Sequence, residues 1–222
     1  MEKKVRVSPS IIAIDYNDEE KLSVALGQLK AAKVSLLHLD VMDGKFVPEK
    51  TFGPEFVQKM RNNTDFLLDT HLMVASPEKV VDKYISAGAD IITFHYEAAS
   101  DIENLLNKIK ANGLLAGVSI KPQTDVSVLA PFIKAGLIDL VLVMSVEPGA
   151  CGRPFDESSI EKIKRLRQMS SKIDIAIDGG INVGNIARVV DAGANIVVAG
   201  SGIFKTEDPV AAIKALRQYK RN

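Results

Sequence analysis

A chain of 222 residues, 46% hydrophobic and 25% charged, has the material for a sizeable buried core and too few charges for a disordered tail-like protein. Lys+Arg and Asp+Glu both number 28, so no net field recruits nucleic acid or a membrane surface, although a local phosphate pocket stays compatible with that balance. No apolar run reaches the roughly 18 residues of a membrane span, the patch after Lys3-Lys4 is broken by Arg6, Pro9 and Asp15 and makes a poor signal-peptide core, and the one cysteine, Cys151, has no internal disulfide partner, so a soluble cytoplasmic protein is expected.

Apolar β-branched runs alternate with amphipathic stretches from end to end, the pattern of strands followed by helices. A first strand is predicted over residues 5–14, and Asn17 with Glu20 three positions on opens a helix over 18–32. The second strand, 36–42, runs into the turn pair Asp43-Gly44. A long loop through Phe46-Val47-Pro48 then leads to a short helix opened by Pro54. A third strand covers 66–73, and Ser76-Pro77 reads as an N-cap with proline in the first turn of a helix reaching Ala87. Strands at 91–95, 115–120, 140–145, 174–178 and 196–199 complete the series. Ala87-Gly88-Ala89-Asp90, Ala135-Gly136-Leu137-Ile138-Asp139 and Ala192-Gly193-Ala194-Asn195 each place a glycine where a helix needs a left-handed cap before a strand.

Eight strand-then-helix units predict an α/β fold with a parallel sheet, and eight strands close a (β/α)8 TIM barrel. The open, doubly wound alternative calls for a glycine-rich loop after the first strand, whereas Ile14-Asp15-Tyr16-Asn17 has none. No linker or low-complexity tract divides the chain, so residues 1–222 read as a single barrel domain.

Barrel enzymes keep their chemistry at the C-terminal ends of the strands. There the predicted strands supply Ser10, His38 and Asp40, His71, His95, Met144-Ser145, Asp178 with Gly179-Gly180, and Gly200-Ser201. Alternation puts His38, Asp40 and Met42 on one face of the second strand. A His and a carboxylate two residues apart make half of a divalent-metal site, or, more plainly, a polar strand end before an Asp-Gly turn. His71 and Asp178 favour the metal, because two imidazoles with two carboxylates suit Zn²⁺, Fe²⁺, Mn²⁺ or Co²⁺ better than Mg²⁺ or Ca²⁺. His95 reads as a polar group of the barrel interior or as a support for a ligand.

The second and seventh strands stand three steps apart around a ring of eight, so Asp40 and Asp178 face each other across the mouth. One carboxylate can then remove a proton α to a carbonyl while the other returns a proton to the far face, which inverts a carbon; a metal would stabilise the enediolate between the two steps. Gly179, Gly180, Gly200 and Ser201 follow strands seven and eight, where barrels commonly bind phosphate through backbone N–H groups. Gly149-Ala150-Cys151-Gly152 reads as a mobile flap over the same mouth.

Several motifs occur in order: Ser8-Pro9-Ser10-Ile11, His38-Leu39-Asp40-Val41-Met42-Asp43-Gly44, Phe46-Val47-Pro48, Thr51-Phe52-Gly53-Pro54 and His71-Leu72-Met73-Val74. Ile92-Thr93-Phe94-His95, Met144-Ser145-Val146-Glu147-Pro148-Gly149, Asp178-Gly179-Gly180-Ile181 and Gly200-Ser201 follow. Together they resemble the ribulose-phosphate 3-epimerase family over nearly the whole chain. The resemblance implies a (β/α)8 isomerase of the pentose phosphate pathway that interconverts D-ribulose 5-phosphate and D-xylulose 5-phosphate. It implies one divalent metal held by His38, Asp40, His71 and Asp178, with Asp40 and Asp178 as the acid/base pair. Ser10 and His71 would contact the substrate, Met42, Met73 and Met144 would form a soft lining, and Gly149, Gly152, Gly179, Gly180, Gly200 and Ser201 would complete the sugar-phosphate site. A homo-oligomer, dimer or larger, is implied as well.

The chain departs from the family pattern at three places. The loop usually reading Pro-Gly-Phe-Gly-Gly-Gln is here Pro148-Gly149-Ala150-Cys151-Gly152-Arg153, Glu49 replaces an Asn, and Ala13 replaces a Ser of the first strand. These bear on loop closure, phosphate grip and the choice of ketose phosphate, which keeps D-allulose 6-phosphate as the alternative substrate. Arg153 is expected either to reach the phosphate or to pair with Glu49. A sugar-phosphate lyase or decarboxylase would carry Asp-x-Lys-x-x-Asp where this chain has Asp69-Thr70-His71-Leu72-Met73-Val74. A barrel that only binds its sugar phosphate is favoured by the altered flap alone.

Overall fold

Nearly every strand residue is buried, as a sheet covered on both faces requires. The computed structural model describes residues 5–149 and 152–219; Cys151 and Ala150 of the expected flap and the basic start at Lys3-Lys4 lie outside the described residues. The strands are β1 (Arg6–Pro9), β2 (Leu36–Met42), β3 (Leu67–Met73), β4 (Ile91–His95), β5 (Leu115–Ile120), β6 (Leu140–Met144), β7 (Asp174–Asp178) and β8 (Ile196–Ala199). All pair in parallel in the order β1-β8-β7-β6-β5-β4-β3-β2. The ring closes where Ser10, just past β1, bridges His38 of β2. This is the expected TIM barrel. Around it lie α1 (Glu19–Ala31), α2 (Pro54–Asn63), α3 (Val81–Ser86), α4 (Ile102–Ala111), α5 (Ala130–Lys134), α6 (Ser158–Met169), α7 (Ile186–Ala192), α8 (Ser201–Phe204) and α9 (Pro209–Gln218).

β3 starts and β6 ends one residue inside the expected bounds, and three boundaries differ in kind. The first strand stops at Pro9, because Ile11–Ala13 turns into a 3-10 helix whose Ile11 is buried; an apolar run reads the same whether it is strand or buried turn. Asp18, not Asn17, caps α1, accepting from the N–H groups of Glu20 (3.1 Å) and Lys21 (3.2 Å). Ser76 makes no side-chain cap, and the helix expected there breaks into a 3-10 turn, Pro77–Lys79, followed by α3.

The repeated Ala-Gly segments have a shared function in the fold. Gly88, Gly136 and Gly193 all take positive φ, ending one helix and aiming the chain at the next strand. The polar residue after each glycine then bonds the preceding strand: Asp90 accepts from Leu68 N–H (2.8 Å), Asp139 from Ala116 N–H (3.0 Å) and Asn195 from Ile175 N–H (2.8 Å). One motif thus stitches three neighbouring strand pairs at the bottom of the barrel.

The core has two compartments. Outward residues such as Leu37, Leu39, Phe94, Val118 and Val141 pack beneath the helices. Inside the barrel, Leu36, Ile91, Leu140, Leu142, Ala176, Ile196 and Val198 form a separate cluster, with the polar groups of β2, β3 and β4 on the other side. Between β4 and β5 the packing leaves no room for a methyl group. A Cβ on Gly117 would overlap Thr93 Oγ1 and lie 3.2 Å from the Thr93 Cα. Gly117→Ala is therefore expected to cost about 1–3 kcal/mol. Gly27→Ala, in α1 with nothing within 4 Å, should be neutral or stabilise by up to about 1 kcal/mol. The denaturation midpoint of Gly117→Ala should fall while that of Gly27→Ala holds or rises, and a Gly117→Ala midpoint equal to wild type would contradict this packing.

Candidate active site

Asp40 is the hub of the barrel mouth. Ser10 Oγ donates to its Oδ2 (2.5 Å), while its Oδ1 lies 3.1 Å from His71 Nδ1 and 3.2 Å from His38 Nε2. Thr51 holds the strand beneath it: the Thr51 hydroxyl donates to the Asp40 carbonyl (2.7 Å) and accepts from Met42 N–H (2.9 Å). The loop after β2 is thereby folded back over its own strand. From across the mouth, β7 brings in Asp178. One nitrogen or oxygen from each of His38, Asp40, His71 and Asp178 lies within 4.8 Å of the others. Bonds of about 2.0–2.2 Å to a first-row divalent ion space its donors about 3–4 Å apart, so the cluster has the dimensions to take one.

Both imidazoles are held from behind. His38 Nδ1 lies 2.7 Å from Asp69 Oδ2, which also accepts from Ser8 Oγ (2.9 Å). A carboxylate there keeps a hydrogen on Nδ1 and aims Nε2 at Asp40. That Nε2 is buried without a hydrogen-bond partner, since its 3.2 Å contact with Asp40 lacks hydrogen-bond geometry. His71 Nε2 meets His95 Nε2 at 2.9 Å, and His95 Nδ1 faces Glu97 Oε2 at 3.3 Å. Phe46, from the loop after β2, covers His95 with ring centroids 4.7 Å apart.

The electrostatics of the two carboxylates diverge. Burial opposes a charge on Asp40, but His38 and His71 beside it outweigh burial and hold the carboxyl far below its ordinary range. Asp178 is pushed up to about 6 by burial and by the Asp40 charge, against partial relief from the imidazoles. Burial also disfavours a proton on His38, yet Asp40 and Asp69 raise that ring well above its ordinary value. His95 is held down to about 4, chiefly by burial, and so is neutral at physiological pH.

A cleft opens above these groups. Ser10, Asp40, Met42, Met73, Met144, Gly149, Gly152, Asp178, Gly200 and Ser201 line it. His71 sits behind Asp40, fully buried. Gly179 and Gly180 are not among the lining residues described; both turn with positive φ under the rim, where a Cβ would meet Ser145 Oγ at 2.7 Å and Phe155 N at 2.6 Å. Ile12, Val146 and Glu147 line the cleft too, and sequence reasoning missed them. It also missed Asp69, which strand alternation places on the His71 face, and Glu97, on a 3-10 turn beyond β4 that carries no local signal. Glu49 and Arg153 line one shallow groove at the rim, but no ion pair joins them among the described residues. The Glu49 carboxylate instead lies against Gly149, where a Cβ would come within 2.6 Å of its Oε2.

The chain resembles known proteins along nearly its full length. The Ribulose-phosphate 3 epimerase family matches residues 6–204. Ribulose-phosphate 3-epimerase of Schizosaccharomyces pombe is 37% identical over 217 residues, covering 96% of this chain and 93% of that protein. The chloroplastic ribulose-5-phosphate-3-epimerase of Arabidopsis thaliana is 41% identical over 221 residues, covering 97% of this chain and 77% of that protein. The Bacillus subtilis ribulose-phosphate 3-epimerase is 36% identical over 221 residues, covering 97% and 100%. Among solved structures, 3-hexulose-6-phosphate synthase from Salmonella typhimurium aligns with a TM-score of 0.71 at 16% identity over 96% of this chain and 97% of that one, a likeness of fold alone. Family match and full-length relatives agree: the chain belongs to the ribulose-phosphate 3 epimerase family.

Proposed function

We propose that this isomerase interconverts D-ribulose 5-phosphate and D-xylulose 5-phosphate with the help of one divalent metal ion. The observation that carries the proposal is the pair Asp40 and Asp178, brought from strands across the mouth into one cluster with opposite electrostatic settings. The donor set fits a metal of the Zn²⁺, Fe²⁺, Mn²⁺ or Co²⁺ type: two imidazole nitrogens, two carboxylates, and a His38 Nε2 that no protein group satisfies. His38, Asp40, His71 and Asp178 would hold the ion, which supplies positive charge against the oxyanion that develops on the sugar.

The protein groups account for the proton traffic. An ionised Asp takes the C3 proton, and the electron pair of the broken C–H bond moves toward the C2 carbonyl to give an enediolate. The other Asp, protonated, returns a proton to C3 from the opposite face, which restores the carbonyl and inverts the carbon. Running the reaction backward exchanges the two roles. Asp40, firmly ionised, and Asp178, the readier proton holder, suit this division. Met42, Met73 and Met144 keep the cleft wall apolar without offering a competing proton. Gly200 and Ser201 support a phosphate end near the loops after β7 and β8, and Ala13 packs against Gly200 there. The single cysteine fits a reducing compartment and supports a cytoplasmic enzyme.

Asp40→Asn and Asp178→Asn are each expected to lower turnover by about 10²–10⁴-fold while the protein stays folded. Each variant should keep solvent exchange of the C3 proton in only one of the two epimers, read by deuterium incorporation. Exchange unchanged in both epimers would sink the two-base reading.

Chelation followed by dialysis should abolish turnover, and Zn²⁺, Mn²⁺, Co²⁺ or Fe²⁺ should restore it. Full activity in protein shown by elemental analysis to hold no metal would overturn the metal assignment. The reconstituted enzyme should prefer D-ribulose 5-phosphate to D-allulose 6-phosphate in kcat/KM by about tenfold or more. The reverse order would assign the hexulose phosphate as substrate, and turnover of neither would leave a binding barrel.

A further inference from the structure

We infer that Ser145 and Asn185 are positioning residues: each holds one carbonyl of the Gly179-Gly180 turn, and together they aim the N–H groups of Gly180 and Ile181 at the substrate's phosphate. The inference rests on the proposed reading of the mouth as a sugar-phosphate site.

Peptide geometry carries the argument. In a trans peptide the C=O and the N–H that follows it point in opposite directions, so a bond that fixes one fixes the other. Ser145 Oγ donates to the Gly179 carbonyl (2.5 Å), while Ser145 N–H donates to the Asp178 carbonyl just before it (2.7 Å). Glycine at 179 lets the backbone come this close, since a Cβ there would lie 2.7 Å from Ser145 Oγ. Asn185 Nδ2 donates to the Gly180 carbonyl (2.9 Å), and its Oδ1 accepts from Asn182 N–H (2.9 Å), which fixes the orientation of the amide. Both carbonyls of the turn are thereby tied.

The side on which they are tied decides where the N–H groups face. Met144 and Val146 line the cleft, and Ser145 between them is buried on the side away from it. The Gly179 carbonyl is drawn to that outer side, so Gly180 N–H turns back toward the mouth. Asn185 stands at the start of α7, outside the ring of strands, and draws the Gly180 carbonyl outward in the same way. Ile181 N–H is left facing inward. Among the described residues neither N–H donates to a protein acceptor. Two successive N–H groups whose carbonyls are tied back form a concavity suited to an anionic oxygen. The turn also abuts the loop after β8: a Cβ on Gly202 would come within 2.2 Å of the Ile181 carbonyl oxygen, and Gly200 and Ser201 beside it line the cleft.

Inorganic phosphate, titrated into the full-length enzyme and followed by ¹H–¹⁵N amide spectra, tests this. In wild type the Gly180 and Ile181 amide protons should move downfield as phosphate binds. Ser145→Ala should bind phosphate about tenfold more weakly with a smaller Gly180 shift, and Asn185→Ala should do the same at Ile181. For D-ribulose 5-phosphate, Ser145→Ala should raise KM about tenfold and lower kcat by a smaller factor, because the lost bond acts on the phosphate and not on C3. Ser145→Thr, which keeps the hydroxyl, should recover most of that loss.

A folded Ser145→Ala with wild-type phosphate affinity, or one that loses kcat at constant KM, would overturn the inference. If the variants do not fold, the wild-type titration still decides. Phosphate that moves the Ser201 and Gly202 amides but neither Gly180 nor Ile181 would remove the role given to Ser145 and Asn185 and keep the site. Phosphate that moves no amide of the mouth would remove the sugar-phosphate reading beneath it.

Discussion

A carboxylate taken out of water must be met by positive charge or by hydrogen-bond donors, and Asp40 imposes that requirement on the whole mouth of the barrel. The groups that answer it come from separate parts of the chain: Ser10 beyond β1, His38 on the same strand, and His71 on β3. Ser10 reaches Asp40 only because the ring closes at the bridge between Ser10 and His38. Closing the barrel and satisfying Asp40 are therefore a single structural event. An open sheet of the same strands would leave that carboxylate without one of its donors.

Each group that answers Asp40 then needs a partner of its own. His38 is backed by Asp69, and Asp69 by Ser8. His71 is backed by His95, which faces Glu97, which in turn takes hydrogens from Lys121 and Thr124. The demand ends only where it reaches backbone and half-exposed hydroxyl groups at the rim. Half-satisfied polar networks are costly in a low-dielectric interior, so these residues act as a unit. Their presence explains why the barrel interior is divided. Polar side chains of β1 to β4 fill one side, and Leu140, Leu142, Ala176 and Val198 fill the other.

The parts of this arrangement that follow chain periodicity were legible in the sequence. Strand alternation placed His38 and Asp40 on one face, and the bounds of β2, β4, β5, β7 and β8 follow from apolar runs stopped by glycine or turn residues. The three Ala-Gly segments announced both their helix ends and the strands behind them. What periodicity cannot carry is register between strands. His95 meets His71 because β3 and β4 pair His71 with Thr93, two residues before His95, and no local pattern encodes that offset. Glu97 lies farther out, on a turn whose shape depends on contacts with the loop after β5. The rim behaves the same way: of the two roles expected of Arg153, phosphate contact or pairing with Glu49, the pairing is not formed, and Gly149 lies beside that carboxylate.

The division of the interior bears directly on the chemistry. Asp40 and Asp178 are the same residue type on strands at opposite sides of one mouth, and their surroundings alone tell them apart. Asp40 stands against two imidazoles and a hydroxyl, which favour its charge. Asp178 pairs in register with Met144, beside the apolar wall, and feels the negative charge of Asp40 across the mouth. On acidification the pair's first proton goes to Asp178. Inversion at carbon needs an ionised base and a proton-bearing acid at one moment, on opposite faces of one atom. Two equally solvated carboxylates would both be ionised at neutral pH, and neither would have a proton to give. The polar wall under Asp40 and the apolar wall beside Asp178 supply that inequality, so the uneven filling of the barrel is itself the strongest support for the proposed acid/base pair.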